Sequence, residues 1–367
     1  MILKSLALTN FKNIESAELE FSPKVNCLLG DNGMGKSNLL DAIYYLSFTK
    51  SFARVPDGML IRRDSDYCIV CGRYLRAGVD DELTAGLRAS ARKSFKRSGK
   101  EYKRLSSHIG LFPAVMVAPG DLELVTGLPE ERRRFIDIII SQSDHRYLDA
   151  LIRYNQALEQ RNKLLRDDVQ DYMLFESVEM VMDASADYIR RCRRKVTDEL
   201  SGIFGDYYRR IAGTGEQVTL SLELSGDEEG PLSRALDHSR SRDRMLRHTT
   251  VGPHRDDIAF MLNGMPVRRT ASQGQTKSVT VALRFAQYDF LRRTVPVAPL
   301  LLLDDIFDKL DAGRVERIIA IVAGSEFGQI FITDTNRKHL DEIMAAIGSD
   351  YRMWHVEDGR FTPIALS

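Results

Sequence analysis

Val25-Asn26-Cys27-Leu28-Leu29-Gly30-Asp31-Asn32-Gly33-Met34-Gly35-Lys36-Ser37-Asn38-Leu39-Leu40 is the stretch that decides how this chain folds. Residues 25–29 are a short apolar run that stops at a glycine. From Leu39 the apolar period changes, so that Leu39, Leu40, Ile43 and Leu46 share one helical face. A strand, a glycine-rich turn and a helix follow one another, and the turn fits G-x-x-x-x-G-K-[ST] without a mismatch. Its glycines let successive backbone N–H groups curl around a β-phosphate, and the helix adds its positive N-terminal end. Lys36 is expected to reach the β- and γ-phosphates of ATP, and the Ser37 hydroxyl to be a Mg²⁺ ligand. Gly30, Asp31, Asn32, Gly33, Met34, Gly35 and Asn38 complete the expected nucleotide-binding set.

Downstream, Leu300-Leu301-Leu302-Leu303-Asp304-Asp305 is the companion this loop requires. Four apolar residues read as a strand buried on both faces, with two carboxylates at its carboxyl end, where open α/β sheets bind ligands. Asp304 is expected to hold Mg²⁺, and Asp305 to orient or deprotonate the attacking water. Ser272-Gln273-Gly274-Gln275 precedes an amphipathic helix carrying Val279, Leu283, Ala286 and Phe290. A hydroxyl, a glycine and a helix N-terminus make an anion site, and the same residues are also ordinary helix caps. Because the chain already has a phosphate loop, the anion reading places these residues on ATP held by a second copy.

The remaining composition limits the options. Across 367 residues, Lys plus Arg (52) equals Asp plus Glu (52), so any nucleic-acid contact needs a local basic patch. Four cysteines are too sparse for a disulfide scaffold. Cys68 and Cys71 form one C-x-x-C without a second ligand pair, which favours strand residues over zinc. Met1-Ile2-Leu3-Lys4 is no secretory leader, and no apolar run approaches a membrane span. A cytoplasmic protein without a membrane partner is expected.

The ordered set of phosphate loop, Ser-Gln-Gly-Gln and Asp-Asp resembles the ATP-binding-cassette ATPases, with Asp308-Lys309-Leu310-Asp311 as the D-loop. Within that class the chain resembles the RecF family over nearly its whole length. The resemblance is carried by Leu8-Thr9-Asn10-Phe11-Lys12-Asn13, Glu131-Arg132-Arg133-Arg134-Phe135-Ile136-Asp137, Gln160-Arg161-Asn162 and Val251-Gly252-Pro253-His254-Arg255-Asp256-Asp257. It implies an α/β P-loop fold of the cassette type without a long coiled coil. It also implies ATP-dependent homodimerisation with Asp311 near the shared nucleotide, binding to double-stranded DNA at gaps or junctions, action with RecR, and slow hydrolysis that serves release. Residues 1–120 and 294–367 are expected to form the mixed-sheet ATP-binding lobe, with 121–293 as an inserted, mainly helical signature lobe.

There are departures from the cassette pattern. No Gln is evident near 119–121 for a Q-loop, and Asp334 stands where transporter cassettes carry a switch His. A transporter motor, a structural-maintenance head and a P-loop kinase are the rival readings. The kinase leaves Ser272 to Gln275 unexplained.

Other signals have two readings each. Arg88, Arg92, Lys93, Lys96, Arg97, Lys100, Lys103 and Arg104, with Phe95 and Tyr102 interleaved, are DNA-contact candidates or a solvated hairpin. The five in the middle (Arg92, Lys93, Lys96, Arg97 and Lys100) are the first choice for DNA. Arg190, Arg191, Arg193, Arg194 and Lys195 suit DNA or internal pairing equally. His254 and Arg255 fit a rigid corner slightly better than a catalytic role. The long apolar repeat from Ile189 to Ile211 contains Gly202 and Gly205, which predicts a break. An acidic turn is expected at 226–230.

Overall fold

The computed structural model describes residues 1–213, 215–226, 230–308, 310–347 and 350–364, the side chain of Ile347 excepted. The chain divides into two compact units. One comprises Met1–Asp121, Arg210–Gly213 and Val281–Ser367, and the other Leu122–Arg209 and Thr214–Thr280.

The first unit contains two six-stranded sheets. In one, Ala114–Val117, Leu300–Asp304, Ile330–Asp334, Val25–Leu29 and Tyr351–Glu357 run parallel, and Arg360–Pro363 closes one edge antiparallel. The inner strands are mostly apolar, as burial on both faces requires; Leu300, Leu301, Leu302 and Leu303 are fully buried, and Asp304, Thr333 and Asp334 lie at the carboxyl ends. The other sheet is an antiparallel meander that includes Ile2–Phe11, Tyr67–Arg76 and Val79–Arg88. Phe21 packs edge-on against both Phe331 and Trp354. The helix Lys36–Phe48 buries Leu39, Leu40, Ile43 and Leu46 together, as its apolar period requires.

The second unit is built on helices, among them Pro129–Ser143 and His145–Arg166, with a small sheet of Val218–Glu223, Asp257–Leu262 and Met265–Pro266. Its interior is unusually ionic. Arg161 is fully buried between Glu179 and Asp243, and Arg193 forks onto Asp137 while donating to the Pro253 carbonyl. Removing one member of such a pair typically costs about 3–5 kcal/mol, because the other charge stays buried.

The expected break at Gly202 and Gly205 does not occur: Tyr172–Ala212 is one continuous helix of 41 residues. Each glycine costs about 1 kcal/mol relative to alanine. Burial of Val196, Leu200, Phe204 and Tyr208 around them outweighs that local preference. The helix Arg337–Ile347 and the edge strand Arg360–Pro363 are elements the sequence reading did not anticipate. Residues 227–229 of the expected acidic turn lie outside the described residues.

Candidate nucleotide site

Gly30 begins the loop against the strand beside it. A Cβ there would meet the Val356 carbonyl oxygen at 2.2 Å, so no other residue fits without moving backbone. Gly33 and Gly35 take φ of 84° and 113°, in the left-handed region that glycine adopts without penalty. The carboxyl-terminal hairpin braces the loop from outside, since the Gly359 N–H donates to the Met34 carbonyl at 2.8 Å. Lys36 is buried, and its ammonium donates to the Gly30 and Asp31 carbonyls at 2.7 and 2.9 Å. Asn38 donates to Asn13 Oδ1 at 2.7 Å, fastening the helix start to the turn between the first two strands.

The strand Leu300–Asp304 delivers its carboxylates to the same place. The Ser37 hydroxyl donates to Asp304 Oδ1 at 2.8 Å, and the Thr333 hydroxyl donates to the same oxygen at 2.7 Å. Burial raises the Asp304 carboxyl above its usual range, against the opposing pull of those two hydroxyls and of Lys36. Asp305 is also raised, first by burial and then by the charge of Asp304. Asp305 turns out of the strand with φ of 45°. A hydroxyl and a carboxylate this close form a hard-oxygen donor set, which suits Mg²⁺. The loop shape and the buried ammonium suit a polyphosphate.

Around this core, Asp121 stands where the cassette pattern would place a Q-loop Gln. It accepts a forked pair of bonds from Arg284 at 2.5 and 3.0 Å, a fixed ion pair within the first unit. Asp334 bonds to Nδ1 of His339 at 2.8 Å. Asp311 caps the helix Ala312–Ala323 by accepting the Arg314 N–H. Lys309 of the expected D-loop lies outside the described residues. Thr333, Asn13, His339 and Arg284 are among the polar residues of this region to which the sequence analysis assigns no role. The only signal for Thr333 is a polar residue ending the apolar run 330–332.

Ser272 to Gln275 belong to the second unit, where they form a reciprocal cap. The Gln275 N–H donates to Ser272 Oγ at 3.2 Å, and the Ser272 N–H donates to Gln275 Oε1 at 2.8 Å. Gln275 also donates to Glu216 at 2.6 Å, and Glu216 accepts from the Tyr208 hydroxyl at 2.9 Å. Ser272 and Gln273 are exposed, and Gly274 is half-buried.

The basic stretch separates into two groups. Arg88, Arg92, Lys96, Lys100, Lys103 and Arg104 are exposed. Lys93 instead bonds to Asp57 at 3.0 Å and to the Thr49 carbonyl at 2.5 Å. Arg97 forks onto Asp81 at 2.6–3.1 Å. Phe95 is buried and Tyr102 half-buried, both against His108. On the long helix, Arg190 pairs with Asp256 and Arg193 with Asp137, so internal pairing accounts for both. His254 sits in a corner, with Nε2–H donating to the Thr249 carbonyl at 3.1 Å and Nδ1 accepting from the Tyr154 hydroxyl at 2.7 Å. Burial pushes its pKa down to about 4. Cys68 and Cys71 lie three apart on one strand and face opposite sides of the sheet. No described helix is long and apolar enough to cross a membrane.

Comparison with known proteins gives one consistent answer. The family model "RecF/RecN/SMC N terminal domain" matches residues 2–357. A Parabacteroides distasonis protein described as DNA replication and repair protein RecF is 50% identical over 364 residues, covering 99% of this chain and 100% of that one. The Bacteroides fragilis protein of the same description is 49% identical over 361 residues, covering 98% of this chain and 97% of that one. A solved structure of "the recombination mediator protein RecF-ATP in RecFOR pathway" superposes with a TM-score of 0.88 at 28% identity, covering 99% of this chain and 98% of that one. The Smc head of Pyrococcus furiosus, at 19% identity and a TM-score of 0.59 with 100% and 96% of the two chains covered, shares the cassette-ATPase fold. The fold is therefore of the cassette-ATPase type, and the chain belongs to the RecF family of DNA replication and repair proteins.

Proposed function

We propose that this protein is an ATP-switched DNA clamp that closes as a homodimer, acts at single-strand gaps with RecR, and hydrolyses ATP slowly to let go. The observation that carries the reading is the bond from Ser37 to Asp304, which places the end of the phosphate loop on the carboxylate of the companion strand. Gly30 to Ser37, with Asn38, would hold the ATP phosphates, with the Lys36 ammonium as the point charge. Ser37 and Asp304 would hold Mg²⁺, which when bound neutralises phosphate charge. Asp305 would orient the attacking water and take its proton as oxygen bonds to the γ-phosphorus and the bond to the β-phosphate bridge breaks. The aspartate is shorter than the glutamate of transporter cassettes, which supports a slow rate. Ser272, Gln273, Gly274, Gln275 and Asp311 would serve the nucleotide of the partner protomer, with the first unit as ATP-binding lobe and the second as signature lobe. Relatives of near 50% identity described as DNA replication and repair proteins support the DNA role.

The test is sedimentation velocity with ATP and Mg²⁺, run beside anisotropy on gapped duplex DNA. The wild type should dimerise and bind DNA only with ATP. Lys36→Ala should lose both, and Ser272→Arg should bind ATP without dimerising. A mixture of the two variants should recover one working site per dimer. A mixture that stays monomeric rules out the shared site. Dimerisation without DNA affinity removes the clamp and leaves an ATP-driven dimer.

A further inference from the structure

Thr333 is fully buried near the end of the strand Ile330–Asp334, in register with Asp304. Its hydroxyl has one proton and gives it to Asp304 Oδ1 at 2.7 Å. Its oxygen accepts the Asp305 backbone N–H at 3.1 Å, a bond whose direction is fixed because an N–H cannot accept. A single hydroxyl therefore touches both carboxylate residues, one through its side chain and the other through its backbone. Asp305 leaves the strand with φ of 45°, a left-handed turn that a residue with a side chain adopts at a cost. A turn of that kind persists where its surroundings hold it, and Thr333 holds the amide at its start. Oδ1 of Asp304 is also held from the other side by Ser37, so the carboxylate cannot rotate without losing two bonds.

From this geometry we infer that Thr333 is a positioning residue for ATP hydrolysis. It fixes the orientation of the Asp304 carboxylate and pins the turn that aims Asp305. The inference rests on the roles proposed above for those two aspartates. It concerns the hydrolytic step, because the Thr333 hydroxyl bonds to Asp304 and to Asp305 and reaches the phosphate loop only through Asp304.

Thr333→Val keeps the shape and strand preference of the side chain and deletes both bonds. Thr333→Ser keeps both bonds and deletes a methyl group. Steady-state hydrolysis should show kcat of the Val variant reduced about tenfold or more, as expected for losing hydrogen bonds to a charged group, with KM for ATP nearly unchanged. The Ser variant should return kcat to near the wild-type value. Thr333→Cys, of similar volume but with a weak donor, carries the same expectation as Val if the Val protein does not fold. An unchanged kcat in Val or Cys, a Ser variant as slow as Val, or kcat and KM that shift together would each overturn the inference. Asp305→Asn is measured alongside. If it loses hydrolysis while Thr333→Val keeps it, only the positioning role falls. If it too keeps full kcat, the reading of the aspartates falls and takes this inference with it.

Discussion

The Ser37 hydroxyl donates to Oδ1 of Asp304 at 2.8 Å, joining residues that lie 267 positions apart in the chain. One lies in the first turn of the helix after the phosphate loop, and the other ends a strand of the sheet whose strand Val25–Leu29 leads into that loop. Parallel strands carry their carboxyl ends to one edge, which is why two distant motifs converge without any local signal linking them. Convergence concentrates negative charge where water is scarce, and that has a measurable consequence.

Burial raises the Asp304 carboxyl, so the folded protein binds this proton more tightly than the unfolded chain does. A raised carboxyl destabilises the fold at any pH above its unfolded value, and the penalty disappears on acidification. Asp304→Asn keeps an acceptor at Oδ1 for Ser37 and Thr333 while removing the charge. Without nucleotide or Mg²⁺, this variant should melt above wild type near neutral pH, with the difference closing toward about pH 4. Thermal melts across that range decide it. A difference that widens on acidification would mean that Asp304 is stabilised in its charged form.

Gly30 and Gly202 make opposite predictions from the same residue type. A Cβ at Gly202 meets nothing within 4 Å, and the residue lies inside a helix. Gly202→Ala should therefore stabilise the protein by about 0.5–1 kcal/mol in urea unfolding. At Gly30 the Cβ would meet the Val356 carbonyl at 2.2 Å, so alanine there must displace the strand beside the loop. Gly30→Ala should lower stability and abolish nucleotide binding. Two alanine variants that behave alike would contradict the packing at both sites.

Much of the candidate site was legible in the sequence because its residues are contiguous. The loop from Gly30 to Ser37 and the run from Leu300 to Asp305 carry their chemistry in consecutive letters, and the strands follow from the apolar runs. What escaped depends on contacts between distant segments. Thr333 gains its place from register with Asp304, and Asn13 from the approach of the first turn to Asn38. The helix through Gly202 escaped because burial around it outweighs the local cost of two glycines. The division within the basic stretch was not legible, since charge alone cannot tell Lys96, which is exposed, from Lys93, which is bound to Asp57.

His254 tests the ionic interior of the second unit. Burial holds its pKa down to about 4, against about 6.5 in an unfolded chain. Between those values the unfolded chain takes up a proton that the folded protein refuses, so stability falls as pH drops through that window. The loss is up to about 1.4 kcal/mol per pH unit for one such group. His254→Gln should flatten the dependence of unfolding free energy on pH by about one proton in this range. His108, also pushed down to about 4, would leave the rest of the slope in place. An unchanged slope in the variant would show that His254 is already protonated in the folded state.

The division within the basic stretch separates DNA contact from folding in one set of variants. Arg92, Lys96 and Lys100 are exposed and free to approach phosphates. Arg97 instead holds Asp81, which is mostly buried, and its guanidinium also lies over the Phe112 ring at 5.6 Å. Lys93 clamps Asp57 and the Thr49 carbonyl. Arg92→Ala, Lys96→Ala and Lys100→Ala should weaken DNA binding without changing Tm. Each should also reduce the slope of log affinity against log salt by about 0.9 per lost phosphate contact. Arg97→Ala and Lys93→Ala should cost about 1–3 kcal/mol of stability through the partners left unsatisfied, with little effect on the salt slope of the protein that remains folded. Anisotropy titrations at several salt concentrations, with melts of the same samples, read both effects. If removing the exposed cations leaves the salt slope unchanged, the DNA lies on another face and this hairpin is a solvated edge of the antiparallel sheet.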